Sequence, residues 1–250
     1  YNTGWMNGDI KLATLSDTDD TNVTGSELVT NGDFATDSDW TKGSYWSIGS
    51  GVATKSSAGG GTISQTLSLT SGALYVMSVD VTSYTSGDIQ LYVDGTYYNV
   101  SDSAGIKTAT FNAPDASVVI GVYGNSGSVF SIDDVSVRLA EEDRSVNGNG
   151  LQVFGTVTKS AVATGADLVA YSGFSSSNYL EQPYNSDLDF GTGDFSYTWW
   201  MNTNAISTYK GIISRGADKI DFLLTSSEQI SARVGTSTQV ISSSMQDSVC

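Results

Sequence analysis

The sequence predicts an all-β protein built of two tandem antiparallel β-sandwiches, preceded by an extended arm. Short runs alternate apolar and polar residues with period two, the pattern of strands with one buried face. Gly, Ser, Asn and Asp separate these runs as turn residues do, and many short strands at close spacing form a sandwich or a barrel. A length of 250 residues suits about two domains.

Residues 1–26 form the predicted arm. Alternation around Ile10 and Leu12 predicts one strand in it, and an acidic stretch follows at residues 16–22. That stretch suggests either a calcium loop or a solvated linker. A calcium loop requires Gly at its sixth position and Glu at its twelfth, where this chain has Asn22 and Leu28, so the linker is favoured.

Residues 27–139 carry the clearest strand pattern and form the first predicted domain. Asp94-Gly95 stands between two alternating runs and predicts a β-hairpin with a type I′ turn, because that turn needs positive φ at both central residues. Alternating apolar side chains predict strands near Ile63–Leu69, Tyr75–Val81, Ile89–Val93, Val118–Val122 and Phe130–Ile132.

Three motifs of this domain resemble the galactose-binding-like jelly roll of carbohydrate-binding modules. They are Asn31-Gly32-Asp33-Phe34 near the start, Gln65–Tyr75 in the middle, and Ile132-Asp133-Asp134-Val135-Ser136-Val137 at the end. The resemblance implies that the first and last strands are neighbours and share a structural Ca²⁺, with Asp33 and Asp133 as candidate ligands. The alternative is that Asp33 closes a turn and Asp134 lies on the surface. Because consecutive strand residues face opposite sides, Asp133 and Asp134 serve one site only if a bulge intervenes.

Binding a sugar requires flat apolar surfaces for the C–H side of a pyranose and polar groups for its hydroxyls. Large aromatic residues are more often buried in a core, and we expect this of Trp40. The available aromatic residues are Trp40, Tyr45, Trp46, Tyr84, Tyr92, Tyr97, Tyr98 and Tyr123, of which Tyr45, Trp46, Tyr84, Tyr97 and Tyr98 are the predicted carbohydrate-binding residues.

Residues 140–150 are charged and then rich in Gly and Asn, which predicts a linker. Residues 151–250 form the second predicted domain. Its stretch from Leu188 to Trp200 resembles the opening of laminin-G-like domains of the concanavalin-A-like class. The later strands of that class have no counterpart, so we expect a truncated sandwich with open strand edges, covered by a partner or by further chain.

Composition excludes several functions. The chain has no His, which removes Ser–His–Asp and Cys–His catalysis and disfavours a catalytic zinc. A formal net charge of −16 opposes binding to nucleic acid, and no apolar run approaches the roughly 18–20 residues that span a bilayer. The glucanase pattern Glu-x-Asp-x-x-Glu, which would supply paired carboxylates, is absent, and Glu181 and Glu228 are isolated, so we expect no enzyme.

The arm, the linker and the laminin-G-like opening together resemble structural proteins of marine bacteriophages. The resemblance implies a virion-surface protein of a tail or fibre that contacts host glycans and assembles with copies of itself or other virion proteins. The alternative is a secreted bacterial adhesin, or the non-catalytic carbohydrate-binding part of a polysaccharide-degrading enzyme.

Overall fold

The computed structural model describes residues 21–56, 58–141, 149–161, 169–184, 199–203, 208–215, 220–227, 229–234 and 237–240. By its contacts the chain divides into two compact units, residues 1–189 and 190–250. The regular elements of the described ranges are strands in antiparallel sheets, which confirms the all-β prediction. Within those ranges no helix is long and apolar enough to cross a membrane.

The strands of the first unit run from β1 to β14. They are β1 (Val23–Gly25), β2 (Thr41–Lys42), β3 (Trp46–Gly49), β4 (Val52–Lys55), β5 (Gly61–Ser68), β6 (Leu74–Ser86), β7 (Ile89–Val93), β8 (Thr96–Asn99), β9 (Gly105–Asn112), β10 (Ser117–Gly124), β11 (Val129–Glu141), β12 (Leu151–Ala161), β13 (Val169–Ser172) and β14 (Tyr179–Glu181).

Two sheets enclose the core of this unit. One has the order β2-β5-β10-β7-β8, and the other pairs β3-β4-β11-β6-β9. Buried side chains at alternate strand positions of both sheets form one hydrophobic core, as expected of a sandwich. Trp40 is 7% exposed, with its ring centroid 5.2 Å from that of Phe34, which confirms its predicted core position. The fully buried residues include Ile63, Met77, Val79, Leu91, Val118, Ile120, Val122 and Ile132.

The predicted Asp94-Gly95 hairpin is present. Val93 pairs with Thr96, and the two turn residues have φ angles of 43° and 92°. Positive φ at both central residues is the type I′ conformation, whose twist matches that of the flanking strands. The hairpin places β8 beside β7 at the edge of the five-stranded sheet, with Tyr92 directly opposite Tyr97.

Strand β12 pairs with strands that lie both earlier and later in the chain. It pairs with β11 at Ala140 and Glu141, and with β1 through the register of Val23 with Val157. Of the predicted linker at 140–150, residues 142–148 lie outside the described ranges. The contact-based division falls at 189/190 instead, and the predicted domain bounds remain sequence-based predictions.

The second unit contains a four-stranded antiparallel sheet in its described part. Its strands are β15 (Lys210–Arg215), β16 (Ile220–Leu224), β17 (Ile230–Val234) and β18 (Ser237–Val240). The carboxylate of Asp221 accepts a hydrogen bond from Ser214 Oγ at 2.5 Å and pairs with the Arg233 guanidinium. Residues 185–198 lie outside the described ranges, so the laminin-G-like opening remains a prediction.

Candidate functional site

Three tyrosines cluster on the outer face of the five-stranded sheet. Strand alternation turns Leu91 and Val122 into the core, and Tyr92 and Tyr123 outward. The ring centroid of Tyr97 lies 5.2 Å from that of Tyr92 and 5.2 Å from that of Tyr123, tilted by 55° and 70°. Tyr97 is 48% exposed and the other two are half-buried, so the cluster presents an accessible aromatic surface.

Uncharged polar groups adjoin these rings. Gln90 stands opposite Tyr123 across the β7–β10 pair and donates from Nε2 to Asn99 Oδ1 at 2.6 Å. A few fixed amides beside aromatic rings are typical of sites that orient a small ligand. We call these five residues, the three tyrosines with Gln90 and Asn99, the tyrosine face.

A rim formed by Tyr45, Gly59 and Gly60 adjoins this face. A Cβ atom built on Gly59 would lie 2.5 Å from Cε2 of Tyr45, and one built on Gly60 would lie 2.7 Å from the Tyr123 hydroxyl. The two aromatic side chains therefore pack directly against consecutive glycines. Tyr45 itself is 46% exposed.

The five predicted carbohydrate-binding residues take different places. Tyr45 and Tyr97 are exposed, on the rim and on the tyrosine face. Trp46 is only 7% exposed: its ring meets Phe130 edge-on at 5.5 Å and its Nε1 donates to the Gly61 carbonyl at 2.9 Å. Tyr84 and Tyr98 are partly buried against the core.

The two predicted metal ligands lie near each other but do not share a surface. A hollow of about 230 Å³ is lined by Glu27, Asp33 and Asp134, with Val29, Gly32, Val135 and Ser136. The register of β11 against β6 shifts between Asp133 and Ser136, and Asp134 has a φ of 48°. This irregularity turns Asp134 into the hollow. Asp133 lies opposite Asp80 in the register of β11 with β6.

Each predicted calcium ligand accepts a backbone hydrogen bond on one carboxylate oxygen. Asp33 Oδ1 accepts the Ala35 N–H at 3.3 Å, and Asp133 Oδ1 accepts the Asp134 N–H at 2.8 Å. In the part of the chain that the structure describes, no three acidic, His or Cys side chains are grouped to hold a metal. Burial, together with the charges of Asp134, Asp33 and Asp80, raises the pKa of Asp133. Calcium binding therefore remains a prediction, and nothing below depends on it.

Sequence reasoning did not select Tyr92, Tyr123, Gln90 or Asn99. Their outward direction follows from period two, but their proximity depends on the strand order β10-β7-β8. The Asp94-Gly95 hairpin signal was enough to pair Tyr92 with Tyr97. No local signal placed Tyr123 beside them, because β10 is far along the chain.

No protein-family model matches the sequence, and no curated protein matches it either. Among solved structures, the enzymatically active domain of tailspike protein 4 from bacteriophage CBA120 is 14% identical over 45% of this chain, with a TM-score of 0.35. The match covers 21% of that chain, about a fifth of its length. TmCBM61 in complex with β-1,4-galactotriose is 17% identical over 45% of this chain and 97% of its own, with a TM-score of 0.35. A CBM4 structure is 20% identical over 44% of this chain and 99% of its own, with a TM-score of 0.33.

Proposed function

We propose that the first unit binds a glycan on the tyrosine face. The observation that carries this proposal is the exposed Tyr97, held between Tyr92 and Tyr123 beside the Gln90–Asn99 amide pair. Aromatic faces pack against the C–H surface of a pyranose, and the amides exchange hydrogen bonds with its hydroxyls. Tyrosine suits this role because it offers a large, rigid area with a polar tip.

The proposed ligand is a neutral glycan. The polar groups of the tyrosine face are amides and phenol hydroxyls, none of which is a cation that would pair with a sulfate or carboxylate group. The whole chain carries a formal net charge of −16, which repels anionic polymers at long range.

The protein acts without catalysis in this proposal. The chain has no His to serve as a general base, and its sequence has no Glu-x-Asp-x-x-Glu pattern like that of the glucanases. The binding face itself holds no carboxylate. Incubation of the protein with its bound glycan should therefore release no reducing ends.

The proposed setting is the surface of a virion, as part of a tail or fibre, with copies of the chain or other virion proteins as partners. Its support is the sequence resemblance to phage structural proteins. Single sites of this kind bind weakly, and display in several copies raises the overall avidity through effective concentration. The native mass distinguishes the settings: a multimer supports a virion part, and a monomer favours the accessory module of a secreted protein.

The decisive experiment is a glycan array followed by calorimetry with Tyr97→Ala. We expect binding to one class of neutral glycan and an affinity loss of at least about tenfold in the variant, which corresponds to about 1.4 kcal/mol. Tyr209→Ala is the control, because Tyr209 is 68% exposed but lies in the other unit. Binding to no glycan, or equal affinity of the two variants, would refute the proposal.

A further inference from the structure

Lys55 is a lysine with no exposed surface, in the sandwich of the first unit. It ends β4, where Trp46 and Phe130 flank it on the neighbouring strands. Among the described residues its ammonium pairs with no carboxylate. Burying a charge without an ionic partner is unfavourable, and burial accordingly lowers the pKa of Lys55.

The ammonium of Lys55 holds the segment that carries the rim. Its Nζ donates to the carbonyl oxygen of Ser56 at 2.7 Å and to that of Gly59 at 2.6 Å. It also lies 5.5 Å from the ring centroid of Tyr45, within the range of a cation–π interaction. One buried cation therefore contacts both the glycine backbone and the aromatic ring that packs on it.

Tyr45 has a backbone conformation that needs such support. Its φ of 68° lies in the left-handed region, which aromatic residues rarely adopt. The Ser56 N–H, next to Lys55 in the chain, donates to the Tyr45 carbonyl at 2.9 Å. Strained residues persist only where their surroundings fix them, and they concentrate at functional sites.

We infer that Lys55 is a positioning residue for ligand binding: it fixes Tyr45 and the Gly59–Gly60 rim beside the tyrosine face, so that Tyr45 extends the contact surface. The inference rests on the proposed function. Lys55 itself never touches the ligand, because its side chain is buried beneath the rim. Its effect on affinity is transmitted through Tyr45.

A double-mutant cycle on glycan affinity tests this relation. Lys55→Met should weaken binding roughly three- to tenfold, and Tyr45→Ala should weaken it at least as much. In the Tyr45→Ala background the Lys55 substitution should have no further effect, because residues that act as a unit are not additive. Independent, additive losses would overturn the inference, since a general loss of structure does not depend on Tyr45.

Lys159→Met is the matched control. Lys159 is also a buried lysine, 4% exposed, and it lies on β12, where its Nζ donates to Glu141 Oε2 at 3.3 Å and lies 5.9 Å from the ring centroid of Tyr171. Its loss should lower stability and leave glycan affinity unchanged. An affinity loss equal to that of Lys55→Met would show that any buried lysine has this effect and would refute the assignment.

Two measurements keep the inference testable if a variant does not fold or no ligand is found. In the wild-type protein, nitrogen-15 NMR of the lysine ammonium groups should show Lys55 shifting on addition of the array-identified glycan while Lys159 stays fixed; the reverse would contradict the inference. With fluorotyrosine incorporated, Lys55→Met should shift the Tyr45 resonance and leave that of Tyr209 unchanged. This second experiment tests the effect of Lys55 on Tyr45 without any glycan. An unshifted Tyr45 resonance would therefore contradict the inference even if the protein binds a glycan, and a shifted one would support it even if no glycan is found.

Discussion

The carboxylate of Glu27 accepts a hydrogen bond at 3.0 Å from the backbone N–H of Val137, which lies 110 residues further along the chain. The same oxygen accepts the N–H groups of Leu28 and Val29, each at 3.0 Å. The second oxygen accepts a hydrogen bond from the Ser136 hydroxyl at 2.6 Å and lies 3.3 Å from Arg138 Nε. One side chain thus joins the first and last segments of the sandwich.

Replacing Glu27 by Gln should destabilise the first unit. The amide keeps the shape but removes the charge, and it turns an acceptor into a donor that faces other donors. Hydrogen bonds to a charged group contribute about 1.5–3 kcal/mol each, and an unmade one costs about as much. We expect a loss of about 1–3 kcal/mol in urea unfolding followed by tryptophan fluorescence. Glu181→Gln, at an exposed strand position, is the control and should change stability little; equal effects would contradict the prediction.

Asp133→Asn should stabilise the protein at neutral pH. Because burial and nearby carboxylates raise the folded-state pKa of Asp133, the folded state holds this proton more tightly than the unfolded state does. Ionised Asp133 therefore destabilises the fold above that pKa, and the penalty disappears as pH falls towards the unfolded value of about 3.9. The variant's gain in melting temperature should be present at pH 7 and absent near pH 3.

Asp115→Asn is the matched control for that variant, because Asp115 Oδ1 likewise accepts the N–H of the next residue, at 2.6 Å, but from an exposed turn. Both melts are recorded in EDTA, so that no bound cation contributes. A pH-independent gain at Asp133, or the same gain at Asp115, would show that charge burial is not the cause.

Asp221→Asn should destabilise the second unit in a pH-dependent way. The hydrogen bond from Ser214 and the pair with Arg233 lower the pKa of Asp221. A carboxylate with a lowered folded-state pKa stabilises the fold. This stability is complete at pH values above the unfolded-state pKa of about 3.9, and it is lost as the pH falls through the folded-state pKa. Hydrogen exchange of β16 and β17 should accelerate in the variant at pH 7.

The control for this prediction is the exposed ion pair between Asp37 and Lys42. Exposed ion pairs contribute about 0–1 kcal/mol, so Asp37→Asn should leave exchange in the first unit nearly unchanged. If Asp221→Asn is as mild as Asp37→Asn, the partly buried pair in β16 and β17 does not stabilise its sheet.

Gly59→Ala should displace the Tyr45 ring without unfolding the protein. The new Cβ would lie 2.5 Å from Cε2 of Tyr45, and the clash is with the end of a side chain that can move. Glycan affinity should fall several-fold while the melting temperature changes little. Gly49→Ala is the control, since a Cβ at Gly49 meets nothing within 4 Å. Unchanged affinity in Gly59→Ala would remove Tyr45 from the contact surface.

Local pattern was sufficient to predict most of the sandwich. Period two identified Ile63, Met77 and Ile120 as inward-facing, because burial of one sheet face imposes that alternation directly on the sequence. The Asp94-Gly95 turn was predictable for a similar reason: few dipeptides adopt two consecutive positive φ angles.

Non-local relations were not predictable. The bulge at Asp134 follows from how β11 fits β6, and the sequence indicated only that a bulge was needed for Asp133 and Asp134 to serve one site. Lys55 occupies an inward position by alternation, but a lysine there looks like a surface residue until the carbonyls of Ser56 and Gly59 are placed around it. The partnership of β1 with β12 joins residues more than a hundred positions apart and leaves no local trace.

That partnership has a mechanical consequence. Because β1 and β12 run antiparallel, with Val23 opposite Val157, residues 22 and 158 lie at the same end of their ladder. Force applied between these two residues would separate the three residue pairs of the ladder one at a time, beginning with Val23 and Val157. Strand β12 would still be paired with β11, β13 and β14 after β1 had detached.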